Sequence, residues 1–114
     1  GAPNLAAHEA LCGLLQEHDR KGGYIGAICA SPAVVLVPLG LLDGRDAVCY
    51  PGMEGPTAAV SWKEGAPVAV SGNVVTGNGP AAASPFALTM VAESCGRDVA
   101  NQVAGGMLFG PTPC

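Results

Sequence analysis

Apolar and polar positions fall into blocks along this chain, and the period changes from block to block. Leu5, Leu11 and Leu15, with Cys12 and Leu14 less cleanly beside them, recur at helical spacing. Asn4 after Pro3 offers an N-cap, and Glu9 and Glu17 lie toward solvent. Arg20 and Lys21 suit the negative end of the helix, and Gly22-Gly23 ends it. Tyr24 to Ile28 then predicts a buried strand, and a single cysteine, Cys29, follows at once. Ser31 is placed to cap a second helix with Pro32 at its first position, and Pro38 and Gly40 keep that helix short.

Farther along, Asp43-Gly44 predicts a turn and Asp46 to Tyr50 a strand, followed by a loop at Tyr50-Pro51-Gly52. Val60 to Lys63 predicts another strand, with a turn at Lys63-Glu64-Gly65. Val68, Val70, Val74 and Thr76 flank Ser71-Gly72, which is a hairpin pattern. Gly77-Asn78-Gly79-Pro80 interrupts it. Ser84-Pro85 then opens a helix with Phe86, Ala87, Met90, Val91 and Ser94 on one face, stopped by Gly96. Val99 to Val103 predicts one more helical turn, and the tail from Gly105 predicts loop or edge strand.

Cys29 carries the candidate chemistry. A strand that turns sharply into a helix at a cysteine puts the thiol beside N–H groups that lack an intrahelical partner. Their partial positive charge favours the thiolate, the reactive form. The Ala30 N–H is the natural donor to an oxyanion formed at that thiol. The competing reading of Cys29 is a small buried hydrophobe.

Composition narrows the class. The chain has 114 residues, 49% of them hydrophobic and only 12% charged, enough for one small domain or part of a larger one and too apolar for disorder. A net charge of −4 without any Lys/Arg cluster argues against nucleic acid as a partner. Apolar runs broken by seventeen glycines and ten prolines do not reach the length of a membrane span. Five cysteines without CxxC or zinc spacing point to free thiols in the cytoplasm or another reducing compartment. No metal or organic cofactor is implied. The start, Gly-Ala-Pro-Asn, is neither an initiator methionine nor a signal peptide, so the expectation is a chain processed from, or made apart from, an N-terminal portion.

The order of these elements resembles the DJ-1 branch of the ThiJ/PfpI superfamily. Arg20-Lys21-Gly22, the strand and Ala27-Ile28-Cys29-Ala30 with Pro32 resemble the family's cysteine elbow. Asn78-Gly79-Pro80 followed by Phe86-Ala87 resembles its Gly-Pro loop and next helix, and Val99-Ala100, Gln102 and Val103 its closing segment. The resemblance implies a flavodoxin-like α/β three-layer sandwich with a mostly parallel sheet. Residues 1–114 would then form the C-terminal part of one domain, without its first strands. It also implies a homodimer of completed domains. The family's glutamate partner to the cysteine lies upstream of Gly1, so the N-terminal segment of the same precursor is the expected partner. Tyr50 stands where some members carry a histidine, and Asn78 where an arginine is found.

The implied function is a cysteine-dependent glyoxalase or deglycase acting on methylglyoxal and related small aldehydes, without glutathione. Cys29 would be the nucleophile, with Ala30, Tyr50, Asn78, Gly79 and Pro80 around the oxyanion and pocket. Turn formation alone explains Asn78-Gly79-Pro80 equally well. The alternative is an oxidation-sensing redox chaperone without turnover, in which Cys29 is oxidised toward a sulfinate. A cysteine peptidase is the third reading, weakened by Tyr50. His8 and His18 are helix residues before anything else, with His8 kept as a candidate base. Cys49 reads as a core thiol or a second redox thiol. Cys12, Cys95 and Cys114 carry no assigned chemistry, and Cys114 is expected to be mobile.

Overall fold

The computed structural model describes residues 1–55 and 58–107. In chain order the elements are α1 (Ala2–Ala6), α2 (Glu9–Arg20), β1 (Ile25–Ile28), a π-helical turn (Pro32–Leu36), β2 (Asp46–Ala47), β3 (Ser61–Trp62), β4 (Val68–Ser71), β5 (Val74–Gly77), a 3-10 turn (Pro80–Ala82), α3 (Ala83–Cys95) and α4 (Arg97–Gly106). The main sheet has the order β1-β5-β4. β1 runs parallel to β5, with Ile25 opposite Val74 and Ile28 opposite Gly77. β4 and β5 form the expected antiparallel hairpin through Gly72-Asn73, and Gly72 has the positive φ (59°) that such a two-residue turn needs. β2 and β3 make a separate short parallel pair.

Strand alternation gives β1 two faces. Ile25 and Ala27 are buried with Val35, Leu36, Leu41, Leu42, Ala47, Val60 and Val74, and Ala2, Ala6 and Leu15 pack against that cluster from α1 and α2. Each fully buried leucine there, such as Leu36 or Leu42, contributes about 2 kcal/mol of apolar burial. The other face of β1 carries Gly26. A Cβ at that position would lie 2.9 Å from both Met90 Sδ and Phe86 Cζ, so α3 reaches the sheet only because β1 has no side chain there. Helices thus cover both faces of the sheet.

Polar bonds tie the opposite end of the sheet. Asp19 Oδ1 at the end of α2 accepts from Arg45 Nη2 (3.2 Å) and from Asn73 Nδ2 (2.9 Å). Asn73 Nδ2 also donates to the Gly23 carbonyl (2.7 Å), and the Asn73 carbonyl accepts the Ile25 N–H (2.8 Å).

Several sequence expectations are corrected. The first helix is two. α1 starts after Gly1 with Pro3 inside its first turn, where a missing N–H costs nothing, so Asn4 is interior and caps nothing. His8 is extended (φ −89°, ψ 95°), and its Nδ1 accepts the Leu11 N–H at 3.1 Å, capping α2. Ser31 occupies the cap position before Pro32 without a side-chain bond, and the turn it opens closes through i to i+5 bonds such as Val37 N–H to the Pro32 carbonyl (3.1 Å). β2 stops at Ala47 because the next N–H, of Val48, bonds to Thr76 Oγ1 (2.9 Å) instead of a strand partner. The residues of α3 buried most completely are Leu88 and Thr89, not the expected face, because α4 covers the helix on a second side. α4 extends through Gly105-Gly106 with Ala100 and Ala104 buried. Cys114 and the other residues of 108–114 lie outside the described residues.

Two features concern what surrounds the molecule. Among the described residues, the edge of β1 away from β5 pairs with no strand, and Gly26 is exposed. No helix among them is long and apolar enough to cross a membrane.

Candidate functional site

Cys29 stands directly past the paired residues Ile28 and Gly77, at the carboxyl ends of two parallel strands. Open α/β sheets bind ligands at that end. Its φ of 64° is positive, and among the described residues no other non-glycine has that conformation. The conformation costs about 1–2 kcal/mol in an L-residue. Two backbone bonds hold it: the Cys29 N–H donates to the Gly77 carbonyl (2.9 Å), and its carbonyl accepts the Tyr50 N–H (2.7 Å). The Ala30 carbonyl accepts the Val34 N–H (2.9 Å), which starts the helical turn. The Ala30 N–H has no hydrogen-bond partner among the described residues. The expected bend is therefore present. A half-buried thiol and an unpaired N–H sit on a strained turn between strand and helix.

Tyr50 and Gly79 are brought to this bend. Tyr50 is half-exposed, and its ring lies against Gly79, where an added Cβ would meet Tyr50 Cδ2 at 3.7 Å. Asn78 is held by its N–H to the Pro67 carbonyl (3.0 Å). Pro80 is exposed and begins the 3-10 turn. The histidines stand in structural roles: His8 caps α2, and His18 Nε2 lies 3.0 Å from the Tyr24 carbonyl.

The second thiol is more prominent than its sequence suggests. Cys49 is only 5% exposed, and its Sγ donates to the Tyr50 carbonyl at 3.5 Å. Burial first, then the charge of Glu54, then that of Cys29, push its pKa up to about 11. Cys49, not Cys29, lines a cleft of about 430 Å³, together with Val48, Glu54, Trp62, Lys63 and Asn78. Lys63 there is 3.6 Å from Asp46. Glu54, Trp62 and Lys63 were not legible as site residues. The cleft arises where the loop after β2 faces the turn after β3, and neither loop has a period that pairs it with the other. The nearest signal was Cys49-Tyr50-Pro51 itself. Among the described residues, no group of three His, Cys, Asp or Glu side chains is placed to hold a metal ion.

Comparison with known proteins agrees with this geometry. Residues 1–93 match the model of the DJ-1/PfpI family. Protein dj-1beta of Drosophila melanogaster is 34% identical over 110 residues, covering 95% of this chain and 58% of the relative. A Caenorhabditis elegans protein named glutathione-independent glyoxalase DJR-1.2 is 32% identical over 103 residues, covering 90% of this chain and 55% of the relative. Among solved structures, oxidized Toxoplasma gondii DJ-1 superposes with a TM-score of 0.87 at 39% identity, covering 96% of this chain and 59% of that one. The chain spans between 26% and 58% of the length of the curated relatives it matches. The fold is the flavodoxin-like α/β arrangement of these proteins, and the chain belongs to the DJ-1/PfpI family.

Proposed function

We propose that this chain carries the thiol part of a glutathione-independent glyoxalase or deglycase site for methylglyoxal and related small aldehydes. The observation that supports this most is the strained Cys29 bend, and the glyoxalase named among its relatives gives the reaction class. The Cys29 thiolate adds to the aldehyde carbon, and the carbonyl becomes an oxyanion for which the Ala30 N–H is the donor. Proton transfer from the former aldehyde carbon to the neighbouring carbonyl carbon gives a thioester of the hydroxy acid. Water then releases lactate and restores the thiol. Tyr50, Asn78, Gly79 and Pro80 would wall the pocket.

The proton shuttle in this scheme is a carboxylate supplied from the N-terminal segment of the same precursor. That segment would lie beside β1, whose unpaired edge supports the idea. The assembled protein would be a homodimer in a reducing compartment, in keeping with the free thiols of Cys12, Cys29, Cys49 and Cys95. The test is methylglyoxal turnover by the chain together with its N-terminal segment. Cys29→Ala should lower kcat/KM by about a thousandfold or more. Turnover retained in that variant would sink the proposal.

A second reading has its own support. The oxidized Toxoplasma relative favours a sensor in which Cys29 is oxidised and no aldehyde is turned over. Low-dose peroxide followed by peptide mass analysis separates the two. Selective Cys29 oxidation with no aldehyde turnover favours the sensor.

A further inference from the structure

The Cys29 carbonyl and the Tyr50 N–H are joined by a 2.7 Å bond, and each of those atoms is two covalent bonds from a cysteine Cα. The Cα atoms of Cys29 and Cys49 therefore lie within about 7.5 Å of each other. Disulfides span about 4.4–6.8 Å between Cα atoms, so small adjustments of the loop after β2 bring the pair into range. Three further observations favour that pairing. The charge of Cys29 is felt at Cys49, so the two sulfurs share one neighbourhood. Cys49 opens onto the cleft, from which peroxide and water can exchange. Among the described residues its sulfur makes one weak bond, to its neighbour's carbonyl, which a new bond can replace.

We infer that Cys49 is the resolving thiol for Cys29, so that oxidation of this site stops at an internal Cys29–Cys49 disulfide. The inference rests on the reading of Cys29 as the reactive thiol. In the first step the Cys29 thiolate attacks a hydroperoxide, the O–O bond breaks, and Cys29 sulfenic acid and hydroxide (or the alkoxide) form. In the second, the Cys49 sulfur attacks the Cys29 sulfur, the S–O bond breaks, and water leaves with the Cys49 proton. Peroxide is reduced and the two thiols are oxidised together. A Cys49 that stays protonated at neutral pH attacks slowly. Burial, the carboxylate of Glu54 and the charge of Cys29 all hold it protonated. Glu64 and Lys63 also line its cleft. Conversion of Cys29 to neutral sulfenic acid removes one of the opposing charges just when attack is required. Crosslinking should therefore quicken by about tenfold per pH unit between pH 7 and 9.

The test treats the full chain with hydrogen peroxide at pH 7 and at pH 9, traps free thiols in acid, and maps unreduced peptides by mass. The expected result is a peptide joining Cys29 to Cys49, favoured at the higher pH and reversed by dithiothreitol. In Cys49→Ser, and again in Cys49→Ala, that peptide should vanish and Cys29 should pass to sulfinic acid at lower peroxide. Sulfinic acid on Cys29 of the unaltered chain with Cys49 left free overturns the inference but leaves Cys29 reactive. A Cys29 that resists peroxide altogether overturns the inference and the proposed function together. A link from Cys29 to Cys12 or Cys95 overturns the choice of Cys49.

Discussion

The bend after β1 and the loop after β2 each present a cysteine to the same end of the molecule, joined by one backbone hydrogen bond, yet they treat it in opposite ways. Cys29 sits on backbone that disfavours any side chain and is half-buried. Cys49 sits where burial and neighbouring charge suppress the thiolate. The difference lies in the turn and not in the residue type. A tight bend holds one thiol up at a conformational cost, while a loop folded into the core keeps the other neutral.

The same substitution at both places separates these regions most sharply. Cys49→Gly should destabilise the fold by about 2–3 kcal/mol through lost packing and added chain freedom. Cys29→Gly should instead stabilise it by about 0.5–1 kcal/mol, because glycine accepts the positive φ. Denaturant unfolding of both variants measures this, and equal signs would break the comparison. Next in size, Thr76→Val removes the acceptor of the buried Val48 N–H. It should cost about 1–3 kcal/mol and expose Cys49 to alkylation without changing the rate at Cys29.

The pH response follows. Cys49 is an acid whose folded pKa, about 11, lies above its ordinary value of 9.0. The folded state therefore holds this proton more tightly, and the advantage is complete below pH 9. It fades as pH rises from 9 to 11, by about 1–2 kcal/mol. Across that window the melting temperature of the natural chain should fall relative to that of Cys49→Val as pH rises. Parallel curves would show that the loop does not suppress the thiolate. The smallest effect belongs to Tyr50→Phe. The backbone N–H of this residue holds Cys29 and its ring is half-exposed, so stability should change by less than about 0.5 kcal/mol in the same unfolding measurement.

The parts of the fold that were legible in the sequence are those that a local rule determines. The β4–β5 hairpin follows from alternation around Ser71-Gly72, and β1 and the bend follow from an apolar run meeting Cys29 and Ser31-Pro32. The break between α1 and α2 was not legible, because it turns on His8 choosing the Leu11 N–H over a helical conformation. The shortness of β2 depends on Thr76, twenty-eight residues from Val48, offering a hydroxyl in place of a strand partner. The tail from Gly105 read as loop or edge strand, yet burial of Ala100 and Ala104 carries α4 through Gly106. In the candidate site, the bend at Cys29 was legible because it is written into the local sequence on either side of it. The cleft that Cys49 shares with Glu54, Trp62 and Lys63 was not, because it exists only once two loops meet.

The asparagine in the hairpin turn decides more than its own corner. Asn73 fastens the start of β5 to Gly23 and Asp19, and its carbonyl takes the first N–H of β1. A strand slipped by one residue would turn its core face outward. It would also carry Cys29 past Gly77, away from the carbonyl that fixes its bend. Asn73 thus acts as an alignment pin. Four residues of strand, about 13 Å, transmit its setting to the far end, where the thiol's position is decided by a side chain that never approaches it.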